Sequence, residues 1–114
     1  MAKSVTVLIR QDPRVTHRPV EALRIALGLS AGDHDVHALL LNGAALMLSD
    51  DLDDVVDVDV LETYLPSLKQ VGIIFFIPES LNEKFRLDKE FSVTFLSVSA
   101  MQQLLAESDC VLAF

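Results

Sequence analysis

Several groups of side chains in this sequence have types and spacings that could do chemistry. The segment RQDPRVTHR at 10–18 gathers Arg10, Arg14, His17 and Arg18 in a chain of formal net charge −8. It leads into a stretch with helical periodicity. Cationic side chains beside the free N–H groups of a helix start can hold an anion. The plainer role for such arginines is to pair with nearby carboxylates in a solvated loop. The glycines of a dinucleotide fingerprint or a phosphate loop are missing, which weakens any nucleotide reading. A second group follows the apolar run GIIFFIP, where Glu79 and Ser80 stand just past a strand-like segment. A serine nucleophile needs a base within reach. His17 is the candidate by topology, and the glycine pattern of a nucleophile elbow is absent. Capping of a short helix over 80–85 by Glu79 or Ser80 is the expected role.

Metal chemistry finds little support. The loop SDDLDDVVDVD is rich in aspartates, but Val56 stands where a calcium loop starting at Asp51 requires glycine. It reads as a solvated loop and helix cap. His34 and His37 are three residues apart at a strand start and are expected on opposite faces, which makes no ligand pair. The single cysteine, Cys110, excludes an internal disulfide and a multi-cysteine zinc site. Beside Val111 and Leu112 it reads as a small buried hydrophobe with a raised pKa. No metal and no cofactor is expected.

Positioning these groups calls for alternating strands and helices. SVTVLIR at 4–10 is β-branched and apolar, and predicts a first strand. RPVEALRIALGLS, about 18–30, predicts a helix with Glu21, Arg24 and Gly28 on a solvated stripe and Pro19 harmless in the first turn. DVHALLL at 35–41 predicts a second strand closed by Asn42-Gly43. A short helix or turn follows at AALML. Leu46, Met47 and Leu48 there read either as core or as an exposed interface patch. Residues about 57–70 predict a helix capped by Asp57 or Asp59, kinked or restarted at Pro66. VGIIFFI at 71–77 is apolar on both alternating faces, which points to a central, doubly covered parallel strand. SVTFLSV at 92–98, a helix at 99–108 capped by Ser99, and CVLAF at 110–114 complete the series. The pattern predicts an α/β/α sandwich with a mainly parallel five-stranded sheet and helices on both faces.

The 114 residues suit one domain spanning 1–114. The hydrophobic fraction of 51% supports a filled core, and no apolar run is long enough for a membrane span. The start, MAKSVTVLIR, lacks signal-peptide features, so a cytoplasmic location is expected. A strongly acidic chain is unsuited to direct binding along a phosphate backbone, so no nucleic-acid contact is expected.

The order of RPVEALRIALGLSA, LNGAALML, GIIFFIPESLNEKF and LLAESDCVLAF resembles the DsrE/DsrF-like family of small sulfur-relay proteins, nearest to its DsrF/TusC type of subunit. The resemblance covers nearly the whole chain. It implies a parallel sheet sandwiched by helices. It also implies assembly, either as a homotrimer or homohexamer or as a hetero-oligomer with related Dsr or Tus subunits. In that family, active subunits carry a cysteine after the third strand, whose thiolate holds sulfur as a persulfide. The relay leads to tRNA 2-thiouridine synthesis in one branch and serves sulfur oxidation in the other. By the match of IPESL, that position falls at Ile77 or Pro78, and neither can hold a persulfide. The expectation is therefore a non-catalytic member. The alternative is a stand-alone homo-oligomer that binds a small anion at the strand carboxyl ends.

Overall fold

The computed structural model describes residues 3–114. Its strands are β1 (Ser4–Ile9), β2 (Asp35–Leu40), β3 (Ile74–Pro78), β4 (Ser92–Leu96) and β5 (Cys110–Ala113). Its helices are α1 (Arg18–Ala31), α2 (Val58–Gln70) and α3 (Val98–Glu107), with 3₁₀ segments at Asn42–Leu48 and Glu79–Leu81. The sheet order is β4-β3-β2-β1-β5, and every pairing is parallel. Parallel crossovers are right-handed. Connections β1-α1-β2 and β2-α2-β3 step the same way along the sheet, so α1 and α2 share one face. The β4-α3-β5 connection returns across three strands, so α3 lies on the other.

Strand alternation sorts the side chains between these layers. Val7 and Ile9 of β1, Ala38 and Leu40 of β2, and Phe75 and Ile77 of β3 point to the α1/α2 side and are essentially inaccessible. There they meet Val20, Leu23 and Ala26 of α1 and Leu61 and Leu68 of α2. Each large side chain so buried contributes roughly 1.5–3 kcal/mol. Phe75 meets Phe91 edge to face, with centroids 5.5 Å apart. Lys69 Nζ sits 5.3 Å above the Phe91 ring and 2.9 Å from Asp88.

Several local expectations need correction. β2, not β3, is the central strand; β3 lies next to the edge, and Ile74 is 38% exposed. A two-sided apolar run shows that a strand is flanked, not where it sits. α2 runs unbroken through Pro66. Glu62 loses its usual N–H partner, and both residues are exposed, so water can take its place. Asp57 takes the N-cap position of α2, one of the two expected, but its left-handed backbone (φ 60°) departs from cap geometry and its side chain makes no cap bond. No helix forms over 80–85: the 3₁₀ turn ends at Leu81 and Glu83 turns left-handed at φ 74°. α3 is capped by Ser97, not Ser99, with Ser97 Oγ accepting from the Ala100 N–H at 3.2 Å. Of the three apolar residues read as core or interface patch, Met47 and Leu48 are core and Leu46 is partly exposed.

Candidate functional site

In an all-parallel sheet the strand carboxyl ends lie together. β1 delivers Arg10 to that end, β2 delivers Asn42 and Gly43, β3 delivers Pro78 and Glu79, and β4 delivers Ser97. Asn42 Nδ2 reaches back to the Arg10 carbonyl at 3.5 Å. The loop from 10 to 18 folds over this end, and Asp12 organises it. One carboxylate oxygen accepts from the Arg14 main-chain N–H (2.9 Å) and from Nε (3.0 Å), and the other accepts from the Arg14 guanidinium Nη2 (2.8 Å). This fork holds the Asp12 carboxyl below the usual carboxylate range, chiefly through the side-chain hydrogen bonds and then the main-chain one. Gly43 lets the loop approach: a Cβ there would stand 3.3 Å from the Asp12 carboxylate.

The predicted basic group is thus divided. Arg14 is occupied by Asp12. Arg10, His17 and Arg18 are exposed. His17 occupies the N-cap position of α1 without a side-chain cap bond. Among the described residues neither Arg10 nor Arg18 has an ion-pair partner.

Glu79 and Ser80 are exposed on the 3₁₀ turn after β3. They form one wall of a cleft of about 110 Å³ between the ends of β3 and β4, with Pro78, Leu96, Val98 and Met101. No histidine lines it, so His17, the base considered for Ser80, is not among those residues. The two positions matched to a transfer thiol differ in setting. Ile77 is 1% exposed and packed in the core, whereas Pro78 faces the cleft.

Cys110 corrects another expectation, since it is exposed on edge strand β5. It pairs with Val5 near the amino end of the sheet. Pro78 is level with the residue after Ile9. That separation is five strand residues, about 16 Å along the strands. Cys110 cannot serve the cleft by the ends of β3 and β4.

Sequence reasoning missed a larger cleft of about 320 Å³. Leu46 and Phe85 give it an apolar floor, and Asp50, Asp51, Lys84 and Arg86 its charged rim. It exists because Ser49 bridges Leu87 and the Asp50 N–H donates to the Arg86 carbonyl at 3.0 Å. That pairing joins two loops far apart in sequence and leaves no local signal.

No protein-family model matches the sequence, and no curated protein matches it either. Among solved structures, the crystal structure of the ychN protein from E. coli superposes with a TM-score of 0.79 over 100% of both chains, at 16% identity. The two chains share one fold.

YchN therefore supports the architecture. The chemistry of the site must come from this chain's own residues. Those at the strand ends offer a forked, internally paired arginine, two free arginines, a carboxylate and hydroxyls. That set suits holding an anion or a partner. Among the described residues, no three potential metal ligands come together.

Proposed function

We propose that this chain is a non-catalytic subunit or paralogue of an intracellular sulfur-relay assembly, and that a related, thiol-bearing subunit supplies the transfer chemistry. The reading rests on the sequence resemblance to DsrE/DsrF-like proteins. The shared fold with YchN supports it at the level of architecture only. The observation that carries the non-catalytic part is the setting of Ile77 and Pro78. The matched position holds a core isoleucine and a proline, and the only thiol lies on β5 at the opposite end of the sheet. Persulfide transfer needs an accessible thiolate, and no group at the cleft provides one.

Native mass spectrometry of the tagged chain purified from its own cells tests this. The expected result is co-purification with related cysteine-bearing subunits. A chain that takes sulfur from a persulfide donor onto Cys110 and passes it to an acceptor thiol would overturn the reading.

A second reading is a stand-alone homo-oligomer that binds a small anion at the strand carboxyl ends. Arg10 and Arg18, exposed and without an ion-pair partner among the described residues, favour it. Thermal shifts with phosphate, sulfate, thiosulfate and nucleotides check it. A shift abolished by Arg18→Ala is expected, and no shift with any of them rejects it.

A further inference from the structure

Two short stretches far apart in sequence, SDD at 49–51 and KFR at 84–86, carry opposite charges. Neither belongs to a helix or to a strand of the main sheet. An isolated antiparallel bridge between Ser49 and Leu87 brings them together. The Asp50 N–H donates to the Arg86 carbonyl at 3.0 Å, and the Asp88 N–H donates to the Leu48 carbonyl at 2.7 Å. This register sets Asp50 directly opposite Arg86, as cross-strand neighbours whose Cβ atoms stand about 5 Å apart.

Opposite charges so placed ordinarily close on each other. Here they stay apart. Among the described residues no ion pair joins Asp50 or Asp51 to Lys84 or Arg86, and none of the four has another ion-pair partner. The cleft of about 320 Å³ lies between them, with Leu46 and Phe85 as its floor. Small-molecule sites begin at about 300 Å³, so the cleft suits a small ligand. Its walls are held by the backbone. Ser49 is buried, and its hydroxyl is shared between the Leu46 carbonyl (2.7 Å) and the Asp51 carbonyl (2.9 Å). Asp51 Oδ1 accepts from the Asp53 N–H at 3.1 Å, which orients that carboxylate. On the other wall Glu83 turns left-handed at φ 74°, and the Lys84 N–H donates to the Leu81 carbonyl at 3.0 Å.

We infer that this cleft binds the zwitterion of a free α-amino acid with an apolar side chain. Charge selects the ligand class. The rim sets two carboxylates against two cations, so it is neutral within a chain of net charge −8. A simple anion would meet Asp50 and Asp51, and a simple cation would meet Lys84 and Arg86. An uncharged apolar molecule would strip water from all four and offer nothing in its place. An ammonium and a carboxylate on one carbon satisfy both signs at once. The ammonium donates to the aspartates, the carboxylate accepts from Arg86 and Lys84, and the apolar side chain lies on Leu46 and Phe85. None of Ile77, Pro78, Glu79 and Ser80 takes part, so the site holds whether or not the chain belongs to a sulfur relay.

Nuclear magnetic resonance titration of the isotope-labelled chain tests it. L-Phenylalanine and L-leucine should give saturable amide shifts in residues 46–51 and 84–86. N-Acetylphenylalanine lacks the ammonium. Phenylalaninamide lacks the carboxylate and stands for a peptide amino terminus. Each should bind at least about tenfold more weakly than phenylalanine. Asp50→Asn and Arg86→Gln should each weaken phenylalanine binding by about tenfold as well. Lys89→Gln, at an exposed cation of the same loop outside the cleft, should leave it unchanged. For a variant that does not fold, the ligand series on the wild-type chain decides by itself. No saturable shift with either amino acid up to about 10 mM overturns the inference. So does equal binding of the acetyl or amide derivative, which would make the cleft a site for a simple anion or cation. Shifts confined to residues 10–18 overturn it too.

Discussion

Thr6 of β1 and Ser108, at the end of α3, meet through their hydroxyls at 2.6 Å across a sequence separation of 102 residues. Ser108 donates its only hydroxyl proton to the Leu104 carbonyl at 2.7 Å, so the Thr6 hydroxyl must be the donor to Ser108. This two-step relay ties the last turn of α3 to an interior strand, and Thr6 is fully buried. Thr6→Val keeps the shape and removes the donor. It should cost about 1–2 kcal/mol, read from urea unfolding. A neutral effect would mean that the contact does not anchor α3.

The Lys69–Asp88–Glu90 cluster predicts a specific pH dependence. Asp88 is held below its ordinary value of 3.8, first by the Glu90 main-chain N–H and then by Lys69. Lys69 is raised above 10.5, chiefly by its hydrogen bond to Asp88. A depressed carboxylate adds stability above its unfolded pKa and loses it as pH falls through the folded value. A raised lysine adds stability below its unfolded pKa and loses it as pH rises through the folded value. The cluster's contribution should therefore be flat between these limits. It should fall below pH 3.8 and above pH 10.5. Asp88→Asn should flatten part of the acid slope in urea midpoints measured against pH.

Thiols placed by mutation can map the strand end. Wild-type Cys110 is exposed and should be alkylated fully by iodoacetamide in the native state. Cys110→Ser should change stability by less than about 0.5 kcal/mol. In that background, Ile77→Cys should resist labelling because the side chain is enclosed, and Pro78→Cys should label because it opens on the cleft. Equal reactivity at both positions would contradict the burial described for Ile77.

Pro66 offers a stabilising change. It lies inside α2 on an exposed face, where proline costs up to about 3 kcal/mol relative to alanine. Pro66→Ala restores an N–H for the Glu62 carbonyl and should raise stability by about 1–2 kcal/mol, visible as a higher melting temperature.

The elements differed in how far they could be read from sequence. α1 was legible because Pro19, the Glu21/Arg24 stripe and the apolar remainder agree on one register, and Glu21 and Arg24 do pair. The strands were legible because each is a short, β-branched or apolar run between turn signals. The helix expected over 80–85 was not, because the left-handed turn at Glu83 is imposed by the loop's return to β4. Ser97 and Ser99 are equivalent caps in sequence, and where β4 ends decides between them.

Within the site, the residue types were readable and their relations were not. That Ile77 and Pro78 cannot hold sulfur follows from their chemistry alone. That Cys110 is exposed, and lies about 16 Å along the strands from the cleft, follows from the pairing of β5 beside Val5. The basic loop announced itself by composition, yet only folding turned Arg14 onto Asp12 and left Arg10 and Arg18 free. Local propensity and periodicity thus determined which segments became strands and helices. The crossover of α3 to the far edge determined which ends met, because strand order is a non-local choice that no short window of sequence encodes.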